Sequence, residues 1–258
     1  MSFSGSTAVL AVLERQADGG SKLSCAWTGD SRCVVGRREG GGLVAVALTE
    51  DHKPDTPTEM ARILAAGGRV EQLVDAAGAR VGPHRVWLRS AWTPGLAMSR
   101  AMGDAVAQTA GVSSLPEFRE HQLCAERDEL IILASDGVWE FLSNDEAVAI
   151  ASACATPAAA CEALVEESAR LWLAEEAGVC DDITAVVFFL RAQERVEEPP
   201  AAATPAESPA ASPAKAGGPV LSASEAELAA FVTKLEHGLL LPRSSPSKDR
   251  GLAGLAAP

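Results

Sequence analysis

Glu129–Ala134 (ELIILA) is a near-continuous apolar run that stops abruptly at Ser135-Asp136-Gly137. A half-buried strand alternates apolar and polar residues. A strand apolar on both faces belongs in the middle of a sheet that is covered on both sides. The run therefore calls for a layered fold with a central buried strand. It also puts a carboxylate where that strand ends.

The chain around this run supplies partners for it. Gly5–Leu13 and Lys22–Trp27 are short apolar runs read as strands, with Gly19-Gly20 as a hairpin or short loop between them. Arg32–Gly36 and Leu43–Leu48 extend them into a meander that turns at Gly40-Gly41-Gly42. Thr56-Pro57-Thr58-Glu59 predicts a helix start with an N-cap, Pro at the first helical position and a capping-box Glu. Gly67-Gly68 ends that helix. Arg69–Val74 and Arg85–Leu88 read as two strands of a hairpin. Ser143-Asn144-Asp145-Glu146 caps a helix to about Cys154, and Thr156-Pro157 opens another to about Ala177. Ile183–Leu190 (ITAVVFFL) has the β-branched and aromatic content of a last core strand. Many strands with helices grouped late in the chain predict an α+β layered sandwich.

Composition narrows the class. Of 258 residues, 47% are hydrophobic and 22% charged, a globular balance. The net charge of −13 argues against a nucleic-acid partner, because phosphate backbones select basic surfaces. Six cysteines occur without a CxxC pair, which favours buried free thiols over disulfides or a zinc site. No apolar run is long enough for a membrane span and no signal segment follows Met1, so no membrane partner is expected. The expected location is intracellular, cytoplasmic or nuclear.

After Leu190 the composition changes, and four regions are expected: a domain over 1–192, a disordered Ala/Pro/Ser-rich linker over 193–220, an amphipathic helix over 221–241 and a disordered tail over 242–258. Leu228, Phe231, Val232, Leu235 and Leu239 follow helical spacing. That stripe over 221–240 is either a marginal helix or a partner-docking helix.

Three acidic motifs stand at strand ends: Gly29-Asp30-Ser31-Arg32, Ser135-Asp136-Gly137 and Cys180-Asp181-Asp182. Singly, each is also an ordinary turn or a solvated strand start. Together, carboxylates at the ends of adjacent strands converge on one rim. An oxygen-only donor set of this kind suits Mg²⁺ or Mn²⁺. An unrelated Ca²⁺-storage role lacks an EF-hand loop to support it.

Eight segments also resemble, in order, the PPM-type (protein phosphatase 2C) family. They are SGSTAV (Ser4–Val9), TGDSRCVV (Thr28–Val35), LTEDHKP (Leu48–Pro54), EMARILAAGGRV (Glu59–Val70), RVWL (Arg85–Leu88), PGLAMSRAMGD (Pro94–Asp104), ELIILASDGVWEFLSNDEAV (Glu129–Val148) and CDDITAVVFFL (Cys180–Leu190). The resemblance covers about residues 3–190. It implies a β-sandwich flanked by helices, with a metal centre at one end. It also implies Mg²⁺- or Mn²⁺-dependent removal of phosphate from phosphoserine and phosphothreonine in phosphoprotein substrates, by direct attack of activated water. It makes Asp136 and Asp181 core metal ligands, and Asp30 a ligand, shared with Asp136, of a weaker third ion. Asp104 lies in a matching segment but is expected to have a structural or supporting role, Ser99 and Arg100 are expected to order their loop, and His52 is expected to hold a turn rather than act as a base.

The resemblance has one departure. The family's DGHG segment, whose Asp bridges two catalytic metals, is not among these 258 residues. The expectation is an incomplete PPM-type sandwich, from a partial gene model or a cleaved fragment, with exposed apolar faces and strand edges. The alternative is a catalytically inactive pseudophosphatase or interaction module.

Overall fold

The computed structural model describes residues 3–176 and 180–190. The linker, helix and tail expected beyond residue 190 lie outside the described residues. In chain order the strands are β1 (Gly5–Ser6), β2 (Ala8–Arg15), β3 (Ser21–Thr28), β4 (Arg32–Glu39) and β5 (Gly42–Ala47). Helix α1 (Pro57–Ala65) precedes β6 (Arg69–Val74), β7 (Arg80–Trp87), β8 (Pro94–Leu96) and β9 (Met102–Gly103). Then follow α2 (Ala105–Gln108), β10 (Glu117–Leu123), β11 (Asp128–Ala134), α3 (Asp136–Trp139), α4 (Asn144–Ser152), α5 (Pro157–Glu175) and β12 (Ala185–Phe189).

Two antiparallel sheets form the sandwich, one ordered β10-β3-β2 and the other β12-β11-β4-β5. Leu23, Cys25 and Trp27 of β3 meet Cys33 and Val35 of β4 and Ile131 of β11 between them. The period of two sends Val34 and Ile132, both fully buried, to the other face of the four-stranded sheet. Helices α4 and α5 cover that face, and a Cβ on Gly36 would touch Val148 of α4. This is why Leu130–Ala134 is apolar at every position: β11 is central and covered on both sides. The mixed layered architecture expected from sequence is the one found. The β6-β7-β8 sheet stands apart, packed with α1 and α2 around Ile63, Val86, Ala101, Ala107 and Val112.

Local signals were overridden at two places. Thr56 makes no side-chain cap bond, so the expected capping box of α1 does not form. Glu59 turns inward instead and accepts from Arg62, Arg100 and Ser99. At Ser143 the box does form, with both reciprocal bonds to Glu146. Asp136 was equally readable as part of a turn, yet it begins the short helix α3. All six cysteines are free, but only Cys25, Cys33 and Cys161 are buried; Cys180 is exposed.

The expected apolar faces and edges are present. Leu10, Val12 and Phe118 lie exposed on the three-stranded sheet. A groove of about 270 Å³ runs between β2 and β12, each a terminal strand of its sheet, and is lined by Val9, Leu13, Ile131, Leu133, Val186 and Phe188.

One buried group yields a stability prediction. Asp104 is 7% exposed, with φ 48°, and its carboxylate has no hydrogen bond or ion pair among the described residues. Burial raises its pKa above the ordinary 3.8. Asparagine tolerates the left-handed backbone and removes the buried charge. Asp104→Asn is expected to stabilise the fold by about 1 kcal/mol at pH 7. The cost of Asp104 is full above its folded pKa and absent below the unfolded one, so the gain shrinks as pH falls toward 3.8. An unchanged or lower unfolding midpoint at pH 7 would contradict this.

Candidate metal centre

Register places the three acidic motifs together. Ala134 of β11 pairs with Arg32 of β4 on one side and with Ala185 of β12 on the other. Asp30 lies two residues before Arg32, Asp136 two after Ala134 and Asp181 four before Ala185. All three therefore leave the same end of three adjacent strands.

Asp136 and Asp181 are drawn together by Ser135. Its hydroxyl donates to the Asp182 carbonyl at 3.1 Å and accepts from the Thr184 N–H at 3.0 Å. Its own N–H donates to the Thr184 carbonyl. Gly137 permits the approach: a Cβ there would lie 2.5 Å from the Asp182 carbonyl oxygen. The Trp172 indole donates to the Gly137 carbonyl at 2.8 Å and ties α3 to α5.

Asp30 is held from the other side. Gly29 takes φ 100°, a conformation that favours glycine. Its N–H donates to His52 Nδ1 at 3.0 Å, and the His52 N–H returns a bond to the Gly29 carbonyl. His52 stacks on Trp27 and stays buried. Burial, then the Arg100 charge, lower its pKa. An imidazole accepting at Nδ1 in this setting holds the Gly29 turn. Ser99 and Arg100 likewise order their loop through Glu59.

The electrostatics link the carboxylates. Burial raises the Asp136 pKa, and the charges of Asp30 and Asp181 raise it further, while Lys53 opposes them. Asp30 is 2% exposed and accepts from Lys53 Nζ at 2.6 Å. Arg32 grips Asp51 with two bonds of 2.7 and 2.9 Å, reaches Asn144 at 3.1 Å and lies over Trp139. Sequence reasoning assigned Lys53, Arg32 and Asp51 no role. Their only signal was their place inside TGDSRCVV and LTEDHKP; nothing in the spacing says that both cations face the acidic rim.

The donor set can be tested against Mg²⁺ or Mn²⁺. Among the described residues no three His, Cys, Asp or Glu side chains form a group able to hold a metal ion. The described residues thus make no closed cage. Small hard cations that keep several waters need only one or two carboxylates. Asp30 with Asp136, and Asp136 with Asp181, are oxygen pairs of this chemical kind, close enough for their charges to raise the Asp136 pKa.

Comparison with known proteins agrees with this architecture. The family model described as protein phosphatase 2C matches residues 2–171. "Probable protein phosphatase 2C 64" of Oryza sativa subsp. japonica is 47% identical over 190 residues, covering 72% of this chain and 42% of that protein. "Probable protein phosphatase 2C 73" of Arabidopsis thaliana is 42% identical, covering 73% and 48%. The chain spans about half the length of the curated relatives it matches. The crystal structure of serine-threonine phosphatase 2C from Toxoplasma gondii superposes with a TM-score of 0.62 at 29% identity, covering 73% of this chain and 59% of that one. With its sandwich, its strand-end carboxylates and a family match over most of the folded unit, the chain belongs to the protein phosphatase 2C family.

Proposed function

We propose that this chain carries the metal-binding rim of a phosphatase that hydrolyses phosphoserine and phosphothreonine on proteins, with Mg²⁺ or Mn²⁺ held by Asp30, Asp136 and Asp181. The observation that carries the reading is the emergence of these carboxylates from one end of β4, β11 and β12. Bound divalent ions supply a more acidic water and neutralise charge on the transferring phosphoryl group. The chain's own residues do the positioning. Ser135 holds the Asp181 segment against Asp136. His52 and Trp27 hold the Asp30 turn. Arg32 keeps Asp51 occupied and so out of the donor set.

A second reading, an interaction module without turnover, draws on the open apolar groove between β2 and β12. The apolar stripe over 221–240 would then serve as a partner-docking helix, proposed from sequence spacing alone. Among the described residues no helix is long and apolar enough to cross a membrane. A cytoplasmic or nuclear site of action is part of the proposal.

The test is Mn²⁺ titration of the full chain by calorimetry, followed by phosphate release from a phosphothreonine peptide. Saturable Mn²⁺ binding with Mn²⁺-dependent release supports the phosphatase reading. Binding without release favours the interaction module. Absence of Mn²⁺ and Mg²⁺ binding would defeat the proposed ligand set.

A further inference from the structure

The two cations facing the rim are held very differently. Arg32 is fixed on four sides: two bonds to Asp51, one to Asn144, and the Trp139 ring beneath it. Lys53 makes one short bond, to Asp30, and stands 3.9 Å from Asp51. Its backbone is pinned, since its N–H donates to the Asp51 carbonyl and its own carbonyl accepts from the Thr56 N–H. Its side chain is 38% exposed and carries a compact charge on a flexible stem. Asp30, nearly fully buried, has Lys53 as the hydrogen-bonding partner of its carboxylate among the described residues. A buried carboxylate needs such a counter-charge.

We infer that Lys53 is a releasable internal counter-ion, which holds the Asp30 carboxylate until a divalent cation displaces it and so weakens cation binding at Asp30. The inference rests on the proposed ligand set and deepens it. Lys53 is a positioning residue here. An ammonium and a divalent ion cannot share the Asp30 oxygen at contact distance, because two cations close together repel. Loading at Asp30 therefore includes the cost of breaking a charge-assisted bond. The charge of Asp51 gives the displaced ammonium a second place to settle. Burial lowers the Lys53 pKa, but the charge and hydrogen bond of Asp30 outweigh it, so the side chain stays an ammonium at neutral pH.

The experiment is calorimetric Mn²⁺ titration of the full chain at pH 7, with thermal unfolding measured in EDTA and in Mn²⁺. Lys53→Met keeps the apolar stem and removes the charge. It is expected to bind Mn²⁺ about ten-fold more tightly, equivalent to about 1.4 kcal/mol. It should also melt lower in EDTA, yet gain more from Mn²⁺ than the unsubstituted chain. Lys53→Arg replaces a point charge with a fork that grips Asp30 harder, and should bind Mn²⁺ more weakly. Adding Asp30→Asn to Lys53→Met should abolish the ten-fold gain. A purely structural ion pair predicts the reverse, with Lys53→Met binding Mn²⁺ equally or less well while Asp30→Asn weakens binding; that result overturns the inference alone. No Mn²⁺ binding by any variant, with all of them folded by circular dichroism, overturns the ligand set and the inference together. If Lys53→Met does not fold, tighter binding by Lys53→Arg overturns the inference.

Discussion

Replacing Glu59 with alanine is expected to lower the unfolding midpoint of the folded unit by roughly 6–12 °C. Glu59 is 3% exposed and is the shared acceptor of three donors: Arg62 with two bonds of 2.7 Å, Arg100 at 2.8 Å and Ser99 at 2.5 Å. Arg62 and Arg100 also donate to the carbonyls of Gly111, Ser99 and Leu115. The carboxylate thus joins α1 to the segment Ser99-Arg100 and to the loop before β10. Removing it takes the shared acceptor from both guanidiniums and leaves Arg100 with Glu117, at 2.6 Å, as its carboxylate partner. Arg62 can turn to water, but the Arg100 side chain is only 14% exposed. Breaking one side of a buried pair costs about 3–5 kcal/mol, and about 3 kcal/mol is expected here because Arg62 rehydrates. Glu59→Gln keeps the shape without the charge and should lose less.

The same carboxylate makes stability depend on pH. Burial pushes its pKa up, but the bonds from Arg62, Arg100 and Ser99 outweigh burial and hold it well below the ordinary 4.5. A depressed folded pKa means that the unfolded chain takes up the proton first as pH falls. The Glu59 contribution is therefore complete above pH 4.5 and is lost as pH falls from there through the folded value. Chemical unfolding at a series of pH values should show a steeper acid loss in the parent chain than in Glu59→Gln. Parallel profiles would refute the assignment.

Asp136→Ala is expected to reduce Mn²⁺ affinity by at least about 100-fold, since altering even a group that only supports a ligand costs about 10–100-fold. Asp136 belongs to both proposed carboxylate pairs, so its removal disables both, whereas Asp181→Asn leaves the Asp30/Asp136 pair and should cost less. Any Mn²⁺-dependent phosphate release should disappear with Asp136→Ala. In EDTA the sign reverses. Asp136 is half-buried and repelled by Asp30 and Asp181, so the variant should melt about 2–4 °C higher without metal. Melting curves with and without Mn²⁺ should therefore cross between parent and variant. A variant that is less stable in EDTA and binds Mn²⁺ normally would show that Asp136 supports the fold rather than the cation.

The sequence determined most of the strands and the position of the acids along the chain. Apolar runs with period two, glycine turns and the Ser143–Glu146 capping box are local signals, and the observed strands and helices follow them closely. The continuous run of β11 even told that its sheet is covered on both faces. Short pieces escaped: β8, β9 and α2 have three, two and four residues, too few to carry a period. Strand β10 alternates exposed and half-buried positions, but its polar residues Glu117, Arg119 and His121 take the half-buried face and Phe118 faces out, so the period of two does not show as apolar–polar alternation.

What only the tertiary structure decided is which side chain faces which. Thr56-Pro57-Thr58-Glu59 satisfies the local rule for a capping box, yet Glu59 abandons the helix end, because two arginines from distant segments outweigh one backbone N–H. Asp30, Asp136 and Asp181 were legible as strand-end acids. That β4, β11 and β12 are neighbours, and that Gly137 and Ser135 press two of the motifs together, is a matter of strand order and register. Lys53 and Arg32 lie 21 residues apart in sequence and look equivalent as positive charges. Only packing separates them: Trp139 and Asn144 immobilise Arg32, while nothing comparable among the described residues immobilises the Lys53 ammonium. Sequence sets which charges are available, because local propensity acts over a few residues. The fold sets which of them are held and which can let go, because burial and partner geometry are properties of the assembled layers.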